Sequence, residues 1–222
     1  MKKKITIAID AMGGENAPEK TIKGVKYFLE RNKSKDDFLL VLYGDDKKIL
    51  DQITKANYGE DKIKIVHTDA IVADNETPLT AVKNSKNTSM WNCVKSQIDG
   101  ETDISLSAGN TGVLLVISRM ILKMINEVSK PALAGLWPNK TGMNVVLDLG
   151  ANIECNEKNL IDFAIMGSSL FKSLYPEEIA KVALLNIGSE EIKGNEIIKS
   201  TYQKMNQINS KDFEFKGFIE GN

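Results

Sequence analysis

Histidine occurs once in this chain, as His67, and cysteine twice, as Cys93 and Cys155. The cysteines stand far apart without zinc-type spacing and the acids are scattered, so no metal site is expected. They read instead as buried thiols of a reduced, cytoplasmic chain. His67 has no serine or cysteine near it in sequence, which leaves a Ser-His-Asp triad unsupported. It reads as a structural polar group at a strand end. Nucleotide motifs are missing too: no G-x-x-x-x-G-K-[ST] occurs, and no G-x-S-x-G nucleophile elbow. The run after the first strand, Asp10-Ala11-Met12-Gly13-Gly14-Glu15, lacks the G-x-G-x-x-G spacing.

An excess of one charge is also lacking. Against 30 Asp and Glu stand 29 Lys and Arg, for a formal net charge of −1. With no cationic field and no basic stretch interleaved with aromatics, nucleic acid is not an expected partner. The greasiest segment, Val113 to Ser118, soon meets Arg119 and Lys123, short of the ~20 apolar residues of a membrane span. A buried core helix fits it better. Met1 to Asp10 passes from Lys2-Lys3-Lys4 straight into a strand, without the apolar region and cleavage site of a secretory signal.

What the chain does have is a repeated rhythm of strand, turn and helix. At 222 residues, 42% hydrophobic and 27% charged, it suits one large α/β domain with a substantial core. Strand patterns cover Lys4–Asp10, Phe38–Tyr43, Lys62–His67, Asp103–Leu106, Ala132–Trp137, Met143–Leu147, Ala180–Ile187 and Phe213–Ile219. Pro18 and Glu19 open a helix with Ile22, Val25 and Leu29 as its stripe, and the next helix carries Ile49, Leu50 and Ile53. Further helices are expected over Thr88–Asp99, from Thr111 to near Ile125, and within Gly188–Ile208. One more presents Leu160, Phe163, Ala164, Gly167, Ser168 and Phe171 on one face. Pro138-Asn139-Lys140-Thr141-Gly142 is a hairpin signal, so the sheet should be mixed, mostly parallel, with helices on both faces. No repeat or linker interrupts 1–222, which predicts a single domain. Phe215 to Asn222 runs a strand into a glycine turn, so the chain is expected to stop inside its fold and, alone, to be inactive and prone to self-association.

Polar turns follow several of these strands. They are Asp10 to Gly14, Ser107-Ala108-Gly109-Asn110-Thr111-Gly112, Asp148-Leu149-Gly150-Ala151-Asn152 and Asn186-Ile187-Gly188, with Lys193-Gly194-Asn195 close behind. Turns at the C-terminal ends of parallel strands are where α/β proteins bind ligands. Glycine admits a close backbone approach, helix-start N–H groups lack intrahelical partners, and Asn, Thr and Lys donate hydrogen bonds, so an anion such as phosphate suits these turns. Turn and capping chemistry is the competing explanation for each turn taken singly.

The ordered series of runs, from Ile7-Ala8-Ile9-Asp10-Ala11-Met12-Gly13-Gly14-Glu15-Asn16-Ala17-Pro18 through Ser107–Gly112, Pro131-Ala132-Leu133-Ala134-Gly135, Asp148–Asn152, Leu184-Leu185-Asn186-Ile187-Gly188 and Lys193-Gly194-Asn195, resembles the bacterial phosphate acyltransferase family. These are the acyl-acyl-carrier-protein:phosphate acyltransferases of phospholipid synthesis. The resemblance implies a three-layer α/β sandwich like that of isocitrate and isopropylmalate dehydrogenases, usually homodimeric. It implies acyl transfer from acyl carrier protein to inorganic phosphate without a cofactor, in the cytoplasm or peripheral to the membrane beside a downstream acyltransferase. On it, Asn110 and Lys193 are the expected catalytic residues. Asp10, Gly13, Gly14, Lys86, Gly109, Thr111, Asp148, Asn152, Asn186, Gly188 and Asn195 are the expected substrate-binding ones. The chain departs from the family's pattern at Lys83-Asn84-Ser85-Lys86, where an Arg and paired lysines are usual, and at Phe218, where Asn is usual. It also ends well before the family's full length. A dehydrogenase of the same fold and an inactive or partner-binding remnant are the alternatives.

Overall fold

A computed structural model of the chain describes residues 4–56, 61–73, 75–140, 142–188, 190 and 193–221. The expected features at Lys2, Lys3, Thr141 and Asn222 lie outside the described residues. The chain divides into two compact units, residues 1–123 and 124–222.

The first unit is built on four parallel strands: β1 (Ile5–Asp10), β2 (Phe38–Gly44), β3 (Ile63–His67) and β4 (Ile104–Ser107), in the order β3-β2-β1-β4. Helix α1 (Glu19–Arg31) follows β1, α2 (Asp46–Ala56) follows β2, α3 (Pro78–Asn84) and α4 (Ser89–Ile98) precede β4, and α5 (Thr111–Leu122) follows it. Side chains alternate across a strand, so each strand feeds two faces. Ile7, Ile9, Leu40, Leu42, Ile63 and Ile65 join Ile22, Val25, Ile49 and Ile53 of α1 and α2 in one core. Ala8, Leu39, Val41, Tyr43 and Val66 face the other way and pack with Cys93 of α4. The sheet is thereby covered on both sides, which is why β2 reads as an almost unbroken apolar run. Met90 and Val94 of α4 meet Val113 and Ile117 of α5 in a further cluster.

Some details depart from the sequence pattern. Pro18 sits at the N-cap of α1, with Glu19 as its first helical residue. Leu50 of α2 is exposed, because Ile49 and Ile53 alone fill that helix's buried face. Helix α5 ends at Leu122, short of Ile125: Lys123 adopts a positive φ of 63°, a conformation that helices cannot continue.

The second unit holds the expected hairpin, β5 (Ala134–Asn139) antiparallel to β6 (Gly142–Leu147), as a two-stranded sheet of its own. After α6 (Glu157–Leu174), strand β7 (Ala180–Leu185), α7 (Glu196–Gln207) and β8 (Phe213–Ile219) form a parallel βαβ unit. Ala180, Met205 and Phe213 are its buried centre, with Ile161, Ala164 and Phe171 of α6 packed against them. Asn156 and Asn159 close a reciprocal capping box at the start of α6, and Asn159 also donates to Ser129 Oγ at 2.9 Å. Among the described residues, no helix is long and apolar enough to cross a membrane.

The first unit's core sets its stability. Leu42 is fully buried between β1 and β3 on the α1–α2 face. Leu42→Ala should cost about 2–5 kcal/mol, read as a fall in the denaturant midpoint at unchanged slope.

Candidate functional site

From β1 the chain steps outward to β2 and β3, then returns to lay β4 on the opposite side of β1. The switch point therefore lies between the C-terminal ends of β1 and β4, the place where open α/β sheets bind ligands. A cavity of about 460 Å³ lies there, with Ile9, Leu106 and Ala108 as apolar lining and Asp10, Gly13 and Ser107 among the groups beside them. Lys20 also lines it, and its Nζ lies 3.3 Å from Glu15 Oε2. Both of those side chains are well exposed, so their pairing contributes little to stability.

Strand register explains the meeting of the two turns. Asp10 pairs directly with Ser107 across the β1–β4 ladder. The Ser107 hydroxyl donates to Asp10 Oδ2 at 2.7 Å, and Ser107 Oγ in turn accepts the Gly109 N–H at 3.1 Å. Asp10 Oδ1 accepts the Met12 N–H at 3.3 Å. The carboxyl is only 1% exposed, and burial pushes its pKa above the ordinary value of 3.8. Hydrogen bonds from Ser89, Ser107, Met12 and Gly13 oppose that rise without cancelling it. Burial likewise pushes the neighbouring Cys93 thiol up to about 12, so this sulfur is an inert part of the core.

Two glycines make this packing feasible. A Cβ on Gly13 would collide with Asp10 Oδ2 and would stand 2.8 Å from Ser107 Oγ and 3.0 Å from the Gly109 nitrogen. Gly14 has φ +92°, and a Cβ there would lie 2.6 Å from the Ala108 carbonyl oxygen. The double glycine after β1 is thus shaped against the turn after β4.

The remaining expected residues of this unit have other partners. Asn110 is the N-cap of α5: its Oδ1 accepts the Val113 N–H at 3.1 Å, and its Nδ2 donates to the Glu76 carbonyl at 3.0 Å. Thr111 is the first residue of that helix, and Lys86 is exposed between α3 and α4. His67 ends β3 with Nε2 2.8 Å from Asp69 Oδ1 and Nδ1 3.0 Å from Asp46 Oδ1. Its pKa is raised, chiefly by the Asp69 hydrogen bond, and it holds the first turn of α2 as a structural group. Among the described residues, no group of His, Cys, Asp and Glu is arranged to hold a metal ion.

In the second unit Asp148 adopts φ 63° and its Oδ1 accepts both the Asn152 N–H, at 3.2 Å, and Asn152 Nδ2, at 2.9 Å. Asn152 Nδ2 also reaches the Pro131 carbonyl at 2.8 Å. Cys155 is half-buried rather than buried, and its thiol donates to Asp148 Oδ2 at 3.4 Å. Asn186 is buried, with Nδ2 donating to the carbonyls of Gly188 and Lys193 at 3.1 and 3.2 Å. Lys193 is exposed, and Asn195 caps α7 through the Ile198 N–H at 2.9 Å. Ser107, the link beneath Gly109, reads in the sequence only as the start of its turn and not as a site residue, and Ser89, which also bonds to Asp10, is not singled out there. A hydroxyl at the end of an apolar strand, in register with an acid on its neighbour, is the signal that would have found Ser107.

Gly13→Ala should destabilise the chain by about 1–3 kcal/mol, since the groups it meets are a fixed carboxylate, a bonded hydroxyl and backbone. Chemical denaturation beside wild type measures this. Asp10 supplies a pH test with a definite sign. Below 3.8 its carboxyl is protonated in both folded and unfolded chains. As pH rises towards the higher folded pKa, the unfolded chain ionises first and the folded state loses stability. The stability of Asp10→Asn relative to wild type should therefore rise with pH across that window and then level off, in denaturation series from pH 3 upward.

The sequence model of a family described as "Fatty acid synthesis protein" matches residues 5–222. Proteins named phosphate acyltransferase from Pelagibacter ubique, Maricaulis maris and Bradyrhizobium diazoefficiens are 57%, 36% and 39% identical over 222, 217 and 222 residues. Those alignments take in 100%, 98% and 100% of this chain but 65%, 61% and 62% of the relatives, so the chain spans less than two thirds of their length. Two solved structures share its fold. A phosphotransacetylase from Streptococcus pyogenes aligns with a TM-score of 0.68 at 12% identity, over 98% of this chain and 68% of that one. The EutD phosphotransacetylase from Staphylococcus aureus aligns at 0.60 and 16% identity, over 97% of this chain and 68% of that one. An α/β fold with mostly parallel strands and a family match over nearly the whole sequence lead to one assignment: the chain, similar to proteins named phosphate acyltransferase, belongs to the fatty acid synthesis protein family.

Proposed function

We propose that the chain carries out, or forms part of an enzyme that carries out, acyl transfer from acyl carrier protein to inorganic phosphate in phospholipid synthesis. The observation that most supports this is the pair of turns knitted together at the β1–β4 switch point, in a chain whose relatives bear that name. In the proposed reaction a phosphate oxygen attacks the thioester carbonyl. A C–O bond forms, the C–S bond breaks, and the carrier's sulfur leaves as a thiol, taking the proton that phosphate gives up. Phosphate is itself the nucleophile, so what the protein supplies is positioning and charge balance. Positioning is worth about 7–11 kcal/mol and an oxyanion donor about 3–4 kcal/mol.

On this reading the Gly109-Asn110-Thr111 turn holds phosphate or the developing oxyanion, and Asp10, Gly13, Gly14 and Lys86 are counted with the residues of its binding region. In the second unit Asp148, Asn152, Asn186 and Gly188 shape their turns, and Lys193 with Asn195 offsets negative charge. The same reading takes 1–222 as an acyltransferase domain of the isocitrate dehydrogenase-like, three-layer kind, without a cofactor. It also takes the enzyme as a cytoplasmic homodimer that hands its product to a membrane acyltransferase.

The test is phosphate-dependent release of the carrier protein's thiol by the purified chain. The same assay is run on the sequence completed to its relatives' full length. Little release is expected from the 222-residue chain alone and saturable release from the completed protein. Release from the completed protein no faster than without protein overturns the proposal. Lys193→Met should raise the phosphate concentration for half-maximal rate by about tenfold, the worth of a charged hydrogen bond. An unchanged half-saturation removes Lys193 from the site.

A further inference from the structure

Asp10 lines the switch-point cavity, but its carboxylate oxygens are committed to protein donors. Oδ2 accepts the hydrogen bond of the Ser107 hydroxyl, which leaves a Ser107 lone pair directed at the Gly109 N–H. We propose that Asp10 is a positioning residue: through the Ser107 hydroxyl it fixes the direction and place of the Gly109 turn that opens α5. The inference deepens the acyl-transfer reading and rests on it for its kinetic consequence, not for its geometry.

The relay has a direction because its ends differ chemically. A carboxylate only accepts and a backbone N–H only donates, so the hydroxyl between them has one satisfied orientation. An Asn at position 10 removes that bias, since its amide can donate to Ser107 Oγ and compete with the Gly109 N–H. The turn is held from a second side by Gly13, whose missing Cβ leaves room for Ser107 Oγ and the Gly109 nitrogen. Ser107 is the last residue of the ladder and Gly109 lies two beyond it, so a relay of two hydrogen bonds carries strand register into the loop. Elsewhere the turn is tied through Asn110, whose side chain spans the Val113 N–H and the Glu76 carbonyl. Asp10 thus governs the near half of the turn and Asn110 the far half.

The test follows the Gly109 amide in 15N-labelled full chain, with kinetics beside it. In wild type, the Gly109 amide shift should titrate together with that of Met12, both reporting the one carboxyl they share. Ser107→Ala should speed Gly109 hydrogen exchange about tenfold, the worth of one hydrogen bond, while exchange in β2 is unchanged. Asp10→Asn should move the Gly109 shift and abolish its titration. In thiol-release assays both variants should lower kcat/KM for phosphate by about tenfold, with the half-saturation for acyl carrier protein unchanged. A Gly109 amide that neither titrates in wild type nor changes exchange in Ser107→Ala overturns the positioning role. The wild-type titration decides even if a variant does not fold. If the sequence completed to its relatives' full length gives no thiol release while the Gly109 titration and exchange changes are intact, the positioning role is retained and the acyl-transfer reading alone is overturned.

Discussion

The first unit is organised around one buried carboxylate. Taking Asp10 out of water is unfavourable unless donors surround it, and an unmet acceptor at 1% exposure would cost more than most single contacts return. Its donors come from three places in the chain: Met12 and Gly13 in the turn after β1, Ser107 at the end of β4, and Ser89 at the start of α4. Satisfying one side chain therefore fixes how three segments meet. The glycines at 13 and 14, the small residue at 108 and the burial of Cys93 all follow from how closely those segments approach. That the pKa still rises shows burial outweighing its hydrogen bonds, so the fold retains this acid at some cost in stability.

Much of the fold was legible because its signals are local. Ile22, Val25, Ile49 and Ile53 recur at helical spacing, and β2 is apolar along nearly all its length, so these strands and helices could be read from the sequence, with the end of α5 three residues short of its expected place. The run from Pro138 to Gly142 marked the hairpin, but Pro138 and Asn139 belong to β5 and Gly142 to β6, and the hairpin forms a sheet of its own instead of making the four-stranded parallel sheet mixed. What sequence could not supply was strand order, which is set by long-range pairing: nothing near Ile104 says that β4 lies beside β1 rather than β3. Leu50 shows the limit of pattern alone. It is apolar and adjacent to Ile49, yet one step round the helix turns it to solvent.

The candidate site was half legible for the same reason. Glycine and asparagine turns at strand ends stood out, and the structure brings Asp10, Gly13, Gly14 and Gly109 together as their composition suggested. Ser107 reads as part of its turn, but its pairing with Asp10 is not legible, because a serine in a run of Ser, Ala and Gly carries no period and its partner lies 97 residues away. The asparagines were harder still. Asn110, Asn156 and Asn195 share one residue type and one structural task, the N-cap of a helix. Capping and anion binding ask for the same small polar side chain at the same place, so sequence gives no means of separating them.

That overlap sharpens the proposed chemistry of the β4–α5 turn. With Oδ1 on the Val113 N–H and Nδ2 on the Glu76 carbonyl, the Asn110 side chain is already employed in holding the turn, and the Gly109 N–H is employed by Ser107. An anion held at this end of α5 would then be met by the first helical N–H groups, at Thr111 and Gly112, which helix geometry leaves without intrahelical partners. The caps do not compete with such a ligand. By committing Gly109 and Val113 to side-chain acceptors they determine which donors remain and where those point. On the acyl-transfer reading, Asn110 and Asp10 then act in the same way from opposite ends of the turn: each binds protein groups so that the backbone between them is fixed before substrate arrives, the condition under which aligned donors stabilise developing charge most.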